Sequence, residues 1–512
     1  MSKKTWRVEN SQIILSLLIL TYSIVFSIAT ILRHYAFKTR AWDLGIFTQS
    51  FWTTLYANKF FYHTCELFVN PSGSFFGVHF SPILFLILPF YRIYTAPETL
   101  LIIQSFVIAL AALPMYKLAR EYNHDNRMVG LTFALAYLFY PAIQWVNWYD
   151  FHVQAFLPLF LSFAVYYTTK ENWPRYFVFL TLSLMCEEHV AFIASFIGLY
   201  IAWSHRKSII SNIKKKNLLT KETLVPSLTV VISVVWYWFT LWQRNTFFPT
   251  NPLAINEFLG SPNFSILGAK DPLEIPLMIL LKPLNALQAL AYNGHLKLLF
   301  LFLVFGPLAF YSFRKPAALI PTIPWFIFSL MSQVLDHYAL GNQYPAYITA
   351  FIFIAAIFGL QVNPSQNIKE PLKKVVACSL IFMIIASPLS PFVHYMFPEK
   401  AVLIEEHEEL LMNIIAEIPN DAAILTQDNI FPHVSHRLNA YVVPNRFLNT
   451  SIHELAINFV NETLSNVEYV LLDNKTDPIA TSFVMWMLQT KPEFTLIKSE
   501  DNNTIYLYQR KY

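Results

Sequence analysis

Eleven apolar runs leave this chain few ways to fold. They cover Ile13–Leu32, Thr99–Leu118, Val129–Trp145, Val153–Tyr167, Tyr176–Cys186, Val190–Trp203, Leu224–Trp242, Leu296–Phe313, Ala317–Leu335, Tyr347–Leu360 and Val375–Phe392. A segment inside a hydrocarbon core of ~30 Å must satisfy its own backbone hydrogen bonds, which a helix does within itself. About eleven crossings follow, several of them short for that thickness. The composition agrees, since 55% hydrophobic against 13% charged residues is more lopsided than a water-soluble core requires. The expected fold is mainly α, a polytopic transmembrane helical bundle. The basic start "MSKKTWR" has the flank of a signal peptide, but the apolar run behind it is long enough to span, so it reads as an uncleaved first helix.

Charge sets the sidedness. Lys3, Lys4 and Arg7, then Lys117, Arg120 and Arg127, Lys170 and Arg175, Arg206 to Lys221, Arg314 and Lys315, and Lys369 to Lys374 fall on one side when Tyr176–Cys186 and Val190–Trp203 form a hairpin of two short helices. One long helix there would reverse every later segment and put the basic stretch after Trp203 outside. By the positive-inside rule the basic side is cytoplasmic, with the N-terminus. An odd number of crossings then places the C-terminal region outside, together with the sequons at Asn449, Asn461, Asn474 and Asn502, and Asn263 in an outer loop.

The layout is a transmembrane domain, 1–397, with a long first outer loop at 33–97 and a second at 243–297. Within the first, "SPILFLILPFYRIYTA" is too short to span and lies along or dips into the interface. From Pro398 the pattern changes to short strand-like runs, "DAAILTQDN", "NAYVVP" and "VEYVLLDN", between helix-like segments. Residues 398–512 are therefore expected as a small extracytoplasmic α/β domain. It has no GxGxxG, so no nucleotide is assigned to it. Cys65, Cys186 and Cys378 are too scattered for a disulfide framework or a thiolate metal site, and nothing in the charge pattern points to nucleic acid.

On this topology Asp43, His79, Asp150, His152, Glu187, Glu188, His189, Asp336 and His337 all fall at outer helix ends or in adjoining outer loops. A carboxylate near hydrocarbon costs a few kcal/mol, and such groups usually face a cavity and act there. Each also has a plainer reading. Asp43 could cap an interfacial helix beginning near Leu44, or accept a proton if a dry pocket raises its pKa. Asp150 and His152 could mark a helix start in an aromatic belt. Glu187 and Glu188, at the tip of a hairpin of short helices, need a partner, and His189 could be that partner. After Asp336 and His337, "DHYALGNQYPAY" supplies Gln343 and Tyr344, suited to sugar or phosphate oxygens. HExxH, GxxxxGK[ST], GxSxG and a DxD pair are absent from the sequence, which argues against an ATP-driven pump and against a DxD-held nucleotide sugar.

The segments "WDLGIFTQSFW", "HFSPILFLILPFY", "YPAIQWVNWYDFH", "EEHVAF", "DHYALGNQYPAYITAFIFIAAIFGL" and "IPNDAAILTQDNIFPHVSHR" closely resemble the predicted membrane protein family DUF2079, over nearly the whole chain. That family in turn resembles the C-type (GT-C) glycosyltransferase superfamily in helix layout and in an Asp on the first outer loop. The resemblance implies a membrane glycosyltransferase that moves a sugar from a polyprenyl-phosphate-linked donor to an acceptor at the outer face, with inversion. Asp43 takes the place of the general base, and it stands alone where many relatives carry an acidic pair. Asp150 and Glu188 are expected beside it, holding sugar hydroxyls, orienting histidines or sharing a divalent ion, Mg or Mn. Arg40, His152, His189 and His337 are candidates for the departing phosphate, with His79, Glu187, Asp336, Gln343 and Tyr344 lining the substrate site. Membrane lipids and the lipid-linked sugar are the expected partners. A transporter or lipid flippase, or a non-catalytic surface assembly protein, are the rival readings. The former predicts an internal repeat and acids spread through the membrane depth, and neither is found in the sequence.

Overall fold

The computed structural model describes residues 2–251, 261–360 and 368–511. Part of the second outer loop therefore lies outside the described residues. All eleven apolar runs are helical over most of their length, but not all are long. Among the described residues, four helices have the length and composition to cross a membrane, Asn10–Tyr35, Pro97–Tyr122, Lys221–Phe247 and Lys369–Met396. Arg127–Leu138 and Pro141–Trp148 form one span bent by 45°, the break falling before Pro141, whose missing N–H and fixed φ suit a first turn. Six runs form shorter helices, among them Ala346–Gly359, buried over its whole circumference. Fourteen residues rise about 21 Å, less than the ~30 Å of hydrocarbon. Such central helices stop short and leave a recess at one end of the bundle.

The first outer loop fills that recess. A five-residue π-turn, Ala41–Gly45, leads into the helix Ile46–Tyr56, and the interfacial segment forms a ten-residue helix, Leu84–Ile93, with Pro89 inside it. The loop also caps the turn between the helices Trp173–Leu184 and Val190–Ser204. There the Ile83 amide donates to the Met185 carbonyl (3.0 Å) and the Ser81 hydroxyl to the Cys186 carbonyl (2.7 Å). This break places Glu187 and Glu188 at the same end as the first loop, as the hairpin reading requires. The intervening helices return the chain to the other end at Arg120–Arg127, Lys170–Arg175 and Arg206–Lys221, so these basic clusters sit opposite the acidic ones.

The C-terminal region carries a five-stranded sheet of order β2-β1-β3-β5-β4, with β1 at Ile424–Thr426, β2 at Ala440–Val442, β3 at Tyr469–Asp473, β4 at Phe494–Glu500 and β5 at Ile505–Arg510. The three strand-like runs are β1 to β3, which pair in parallel; the antiparallel hairpin β4–β5 completes the sheet. This region docks on the first loop. The Thr48 and Ser435 hydroxyls lie 2.8 Å apart, the Gln49 amide donates to the Arg437 carbonyl (3.0 Å), and Tyr91 Oη meets His436 Nε2 at 2.7 Å. Phe431 packs so closely on Gly45 that a Cβ there would lie 2.7 Å from its ring, which is why the π-turn ends in glycine.

His433 is stacked between His34, at a centroid distance of 4.0 Å, and Phe37, also at 4.0 Å. Burial pushes the His433 imidazole down to about 3, so it docks neutral. The unfolded chain takes up its proton near the ordinary value, so this contact stabilises fully above about pH 6.5 and loses strength as pH falls below it. Thermal unfolding in detergent should show a lower Tm at pH 5 than at pH 7, and His433→Phe should reduce that difference. An unchanged difference in the variant would assign the pH dependence elsewhere.

Candidate functional site

Two polar clusters meet at the recess. The first is built on the end of the first helix and on the break after Trp148. Asp150 has a fully buried side chain, accepts from the Arg33 guanidinium, and takes the Arg40 amide at 2.7 Å. Arg40 turns its guanidinium outward to Asp428, 3.0 Å away, just past β1, and Asp428 also accepts from the Ala41 amide at 2.8 Å. Held at its start by two carboxylates, the π-turn aims Asp43 at His152, whose Nε2 lies 3.0 Å from Asp43 Oδ1. Tyr149 adds a hydrogen bond to Asp43 and stacks on the His152 ring at 5.2 Å. Asp43 thus does not cap the helix beginning at Ile46, whose N-cap is Gly45 with no side-chain cap bond.

The electrostatics reverse one expectation. Burial alone would raise the Asp43 carboxyl, but the hydrogen bond and charge of His152, with Tyr149 and Arg446, hold it below the usual carboxylate range. Asp150 is the raised group. Burial, reinforced by the neighbouring Asp43, pushes it up to about 6 despite Arg33. Asp43 and Asp150 are thus close enough for their charges to act on each other.

The second cluster sits on the turn Met185–His189. His79 Nδ1 lies 3.1 Å from Glu188 Oε1 and 3.5 Å from Glu187 Oε1, while His189 Nδ1 is 3.5 Å from Glu187. The Phe80 amide donates to Glu188 at 2.9 Å, the Gln154 amide to Glu187 at 2.9 Å, and the Tyr347 hydroxyl also donates to Glu187. The carboxylates are buried, whereas His79 and His189 keep 31% and 44% of their side chains exposed, so the imidazoles form the accessible surface of the cluster. Ligand atoms of His79, Glu187 and Glu188 lie within 4.8 Å of one another, close enough to share one divalent ion. Asp150, expected as a co-ligand with Glu188, is not in that group. The two carboxylates suit Mg or Mn, and the imidazole moves the preference away from Mg.

Tyr344 and Glu66 lie between the clusters. Tyr344 senses the charges of Glu187, Asp336 and Asp43, and it stacks on Trp325 at 5.1 Å, which stacks in turn on Tyr347 at 4.8 Å. Glu66, buried beside His63, senses His79 and Arg446. Asp336 is exposed and its charge couples to Asp43. His337 is turned inward, its Nδ1 2.7 Å from the Ser332 hydroxyl, and burial lowers it to about 4, so it supports the turn as a neutral ring. Gln343 keeps a buried Oε1 with no hydrogen-bond partner among the described residues. Arg33, Glu66, Tyr149, Tyr347, Asp428 and Arg446 were not singled out in the sequence. Only the positions of Arg33 at a helix end and of Tyr149 beside Asp150 carried a local signal.

The sequence pattern of the predicted membrane protein family DUF2079 matches residues 33–510. The chain belongs to this family. It is a multi-pass membrane protein, and its match covers the first loop, both clusters and the sheet of the C-terminal region. No curated protein matches this DUF2079 chain. Among solved structures, ArnT from Cupriavidus metallidurans bound to undecaprenyl phosphate matches over 95% of this chain and 97% of its own, at 10% identity and a TM-score of 0.47. The apo state of the same ArnT matches over 96% and 98%, at 11% identity and a TM-score of 0.45.

Removing one partner of a buried ion pair strands the other. Arg33→Met should cost this DUF2079 protein about 3 kcal/mol in a denaturant titration in micelles, and Arg33→Met combined with Asp150→Asn should recover part of it. Equal unfolding of the single and double variants would show that Arg33 does not neutralise Asp150.

Proposed function

We propose that the protein transfers a sugar from a polyprenyl-phosphate-linked donor to an acceptor at the outer membrane face. The observation that carries this reading is the convergence of three distant segments, 40–43, 150–152 and 187–189, on one recess of a membrane bundle, with the imidazoles of His79 and His189 exposed over the buried carboxylates of Glu187 and Glu188. A GT-C-type layout, seen as a resemblance in the sequence, accords with it. A cavity of about 610 Å³ between the first helix, the bent span and Lys369–Met396 adds support. Its lining is almost wholly apolar, including Leu17, Phe26, Leu138, Met383 and Phe392, and suits a prenyl chain.

In the step itself the acceptor oxygen bonds to the anomeric carbon as the bond from that carbon to the phosphate oxygen breaks. The electron pair leaves with polyprenyl phosphate, and the acceptor proton passes to the Asp43–His152 pair. A single displacement inverts the centre. Asp43 held below the usual range is a weak base on its own, so its work is to orient His152 and to stabilise the imidazolium as the proton arrives. Asp150 holds the loop backbone that carries Asp43. A divalent ion held by His79, Glu187 and Glu188 would supply positive charge to a phosphate oxygen.

Asp43→Asn should lower turnover of a polyprenyl-phosphate sugar by about 10²-fold or more while leaving donor binding within a few-fold. Transfer at the wild-type rate would remove Asp43 from the reaction. Sidedness is tested separately, in a chain with Cys65, Cys186 and Cys378 replaced. An impermeant maleimide on intact cells should label Glu462→Cys and spare Lys216→Cys, and the reverse pattern would place the site on the cytoplasmic face.

A further inference from the structure

We propose that Arg446 recognises the anionic group of the substrate, so that the C-terminal region completes the site it covers. This rests on the sugar-transfer reading above. Arg446 lies in the turn Asn445–Phe447 that follows β2. Pro444 precedes the turn, the Asn445 side-chain amide donates to Asp477, and Phe447 is buried against Phe68 at 5.4 Å and Trp42 at 6.3 Å. The turn is therefore anchored on both flanks, and only the arginine between them is exposed.

Its position is the carboxyl edge of the parallel strands, the edge at which open α/β sheets hold ligands. Asp428, just past β1, reaches Arg40 and Ala41 from the same edge, so this edge faces the recess. The Arg446 guanidinium carbon lies 5.1 Å from the Trp42 ring centroid and 4.6 Å from that of Phe447. Stacking fixes the plane of a guanidinium, whose N–H donors point outward within that plane and match two oxygens of a phosphate. Trp42 is the neighbour of Asp43, and the Arg446 charge acts on Asp43, Glu66 and Asp336. It thus overlooks the first cluster and the space between the two.

The other two arginines of the recess are differently placed. Arg33 and Arg40 each bind a carboxylate that also takes a backbone N–H of the loop, an arrangement that builds the π-turn. Arg446 is held through its faces on aromatic rings and comes from the opposite body of the protein. A phosphate seated there would find its cation stacked on Trp42, the chain neighbour of Asp43.

The test uses the full chain in lipid nanodiscs, with polyprenyl phosphate and the uncharged polyprenol as probes and native mass spectrometry as the readout. Wild type should prefer the phosphate. Arg446→Met, which keeps an apolar stem on Trp42, should weaken phosphate binding about tenfold or more, the loss expected of charge-assisted hydrogen bonds, and leave polyprenol binding unchanged. Arg446→Lys should fall between the two. If Arg446→Met binds the phosphate as tightly as wild type while wild type still discriminates, this inference is overturned and the sugar-transfer reading stands. If wild type shows no preference for the phosphate, the sugar-transfer reading fails and this inference falls with it.

Discussion

A buried carboxylate at a membrane interface must have a cation, and the pairing of Asp150 with Arg33 meets that demand across 117 residues. Much of the site's geometry hangs on it. Arg33 ends the first helix, Asp150 follows the bent span, and the Arg40 amide on the same carboxylate fixes the start of the π-turn. Because Arg40 then reaches Asp428, the network ends in the C-terminal region. One satisfied charge thus joins helix end, loop, helix break and sheet, and Asp43 is aimed by that scaffold.

Helix length explains why such a scaffold is needed at all. Central helices such as Ala346–Gly359 are too short to reach both interfaces, so the bundle is open at one end and the first loop must close it. Closing a recess in hydrocarbon with loop backbone leaves N–H and C=O groups to satisfy. The loop's N–H groups find the Met185 carbonyl and the carboxylates of Glu188, Asp150 and Asp428. Carboxylates able to take part in chemistry are here also the acceptors that order the loop. The two roles are compatible because a carboxylate has about four lone-pair sites, and the loop occupies one or two of them.

Asp43 and Glu188 share a design. Each is a carboxylate paired with a histidine, His152 in one case and His79 in the other, but only His79 keeps about a third of its side chain exposed, while His152 is buried. Against desolvation, the charges of Glu188 and Glu187 raise the His79 imidazole to about 9, which favours its protonated ring. The two pairs come from segments far apart in the chain, and Tyr344 and Glu66 occupy the space between them.

Helices, strands β1 to β3 and the split between basic and acidic ends were legible in the sequence because each depends on a local pattern: the length of an apolar run, β-rich alternation or the composition of a short loop. Asp43, Asp150, Glu187 and Glu188 were legible too, since a charge among aromatic residues is costly enough to stand out unaided. The hairpin β4–β5 was not singled out, although Phe494–Ile497 and Ile505–Tyr508 carry the same β-rich residue types. Partnership was beyond local reading. Arg33 for Asp150, Asp428 for Arg40, Tyr347 for Glu187 and Arg446 above Trp42 join residues that only packing brings together. For the same reason the low Asp43 and the raised Asp150 exchange the roles their local surroundings suggest: a pKa is set by every charge and by all the excluded water around a group, and tertiary structure alone decides both.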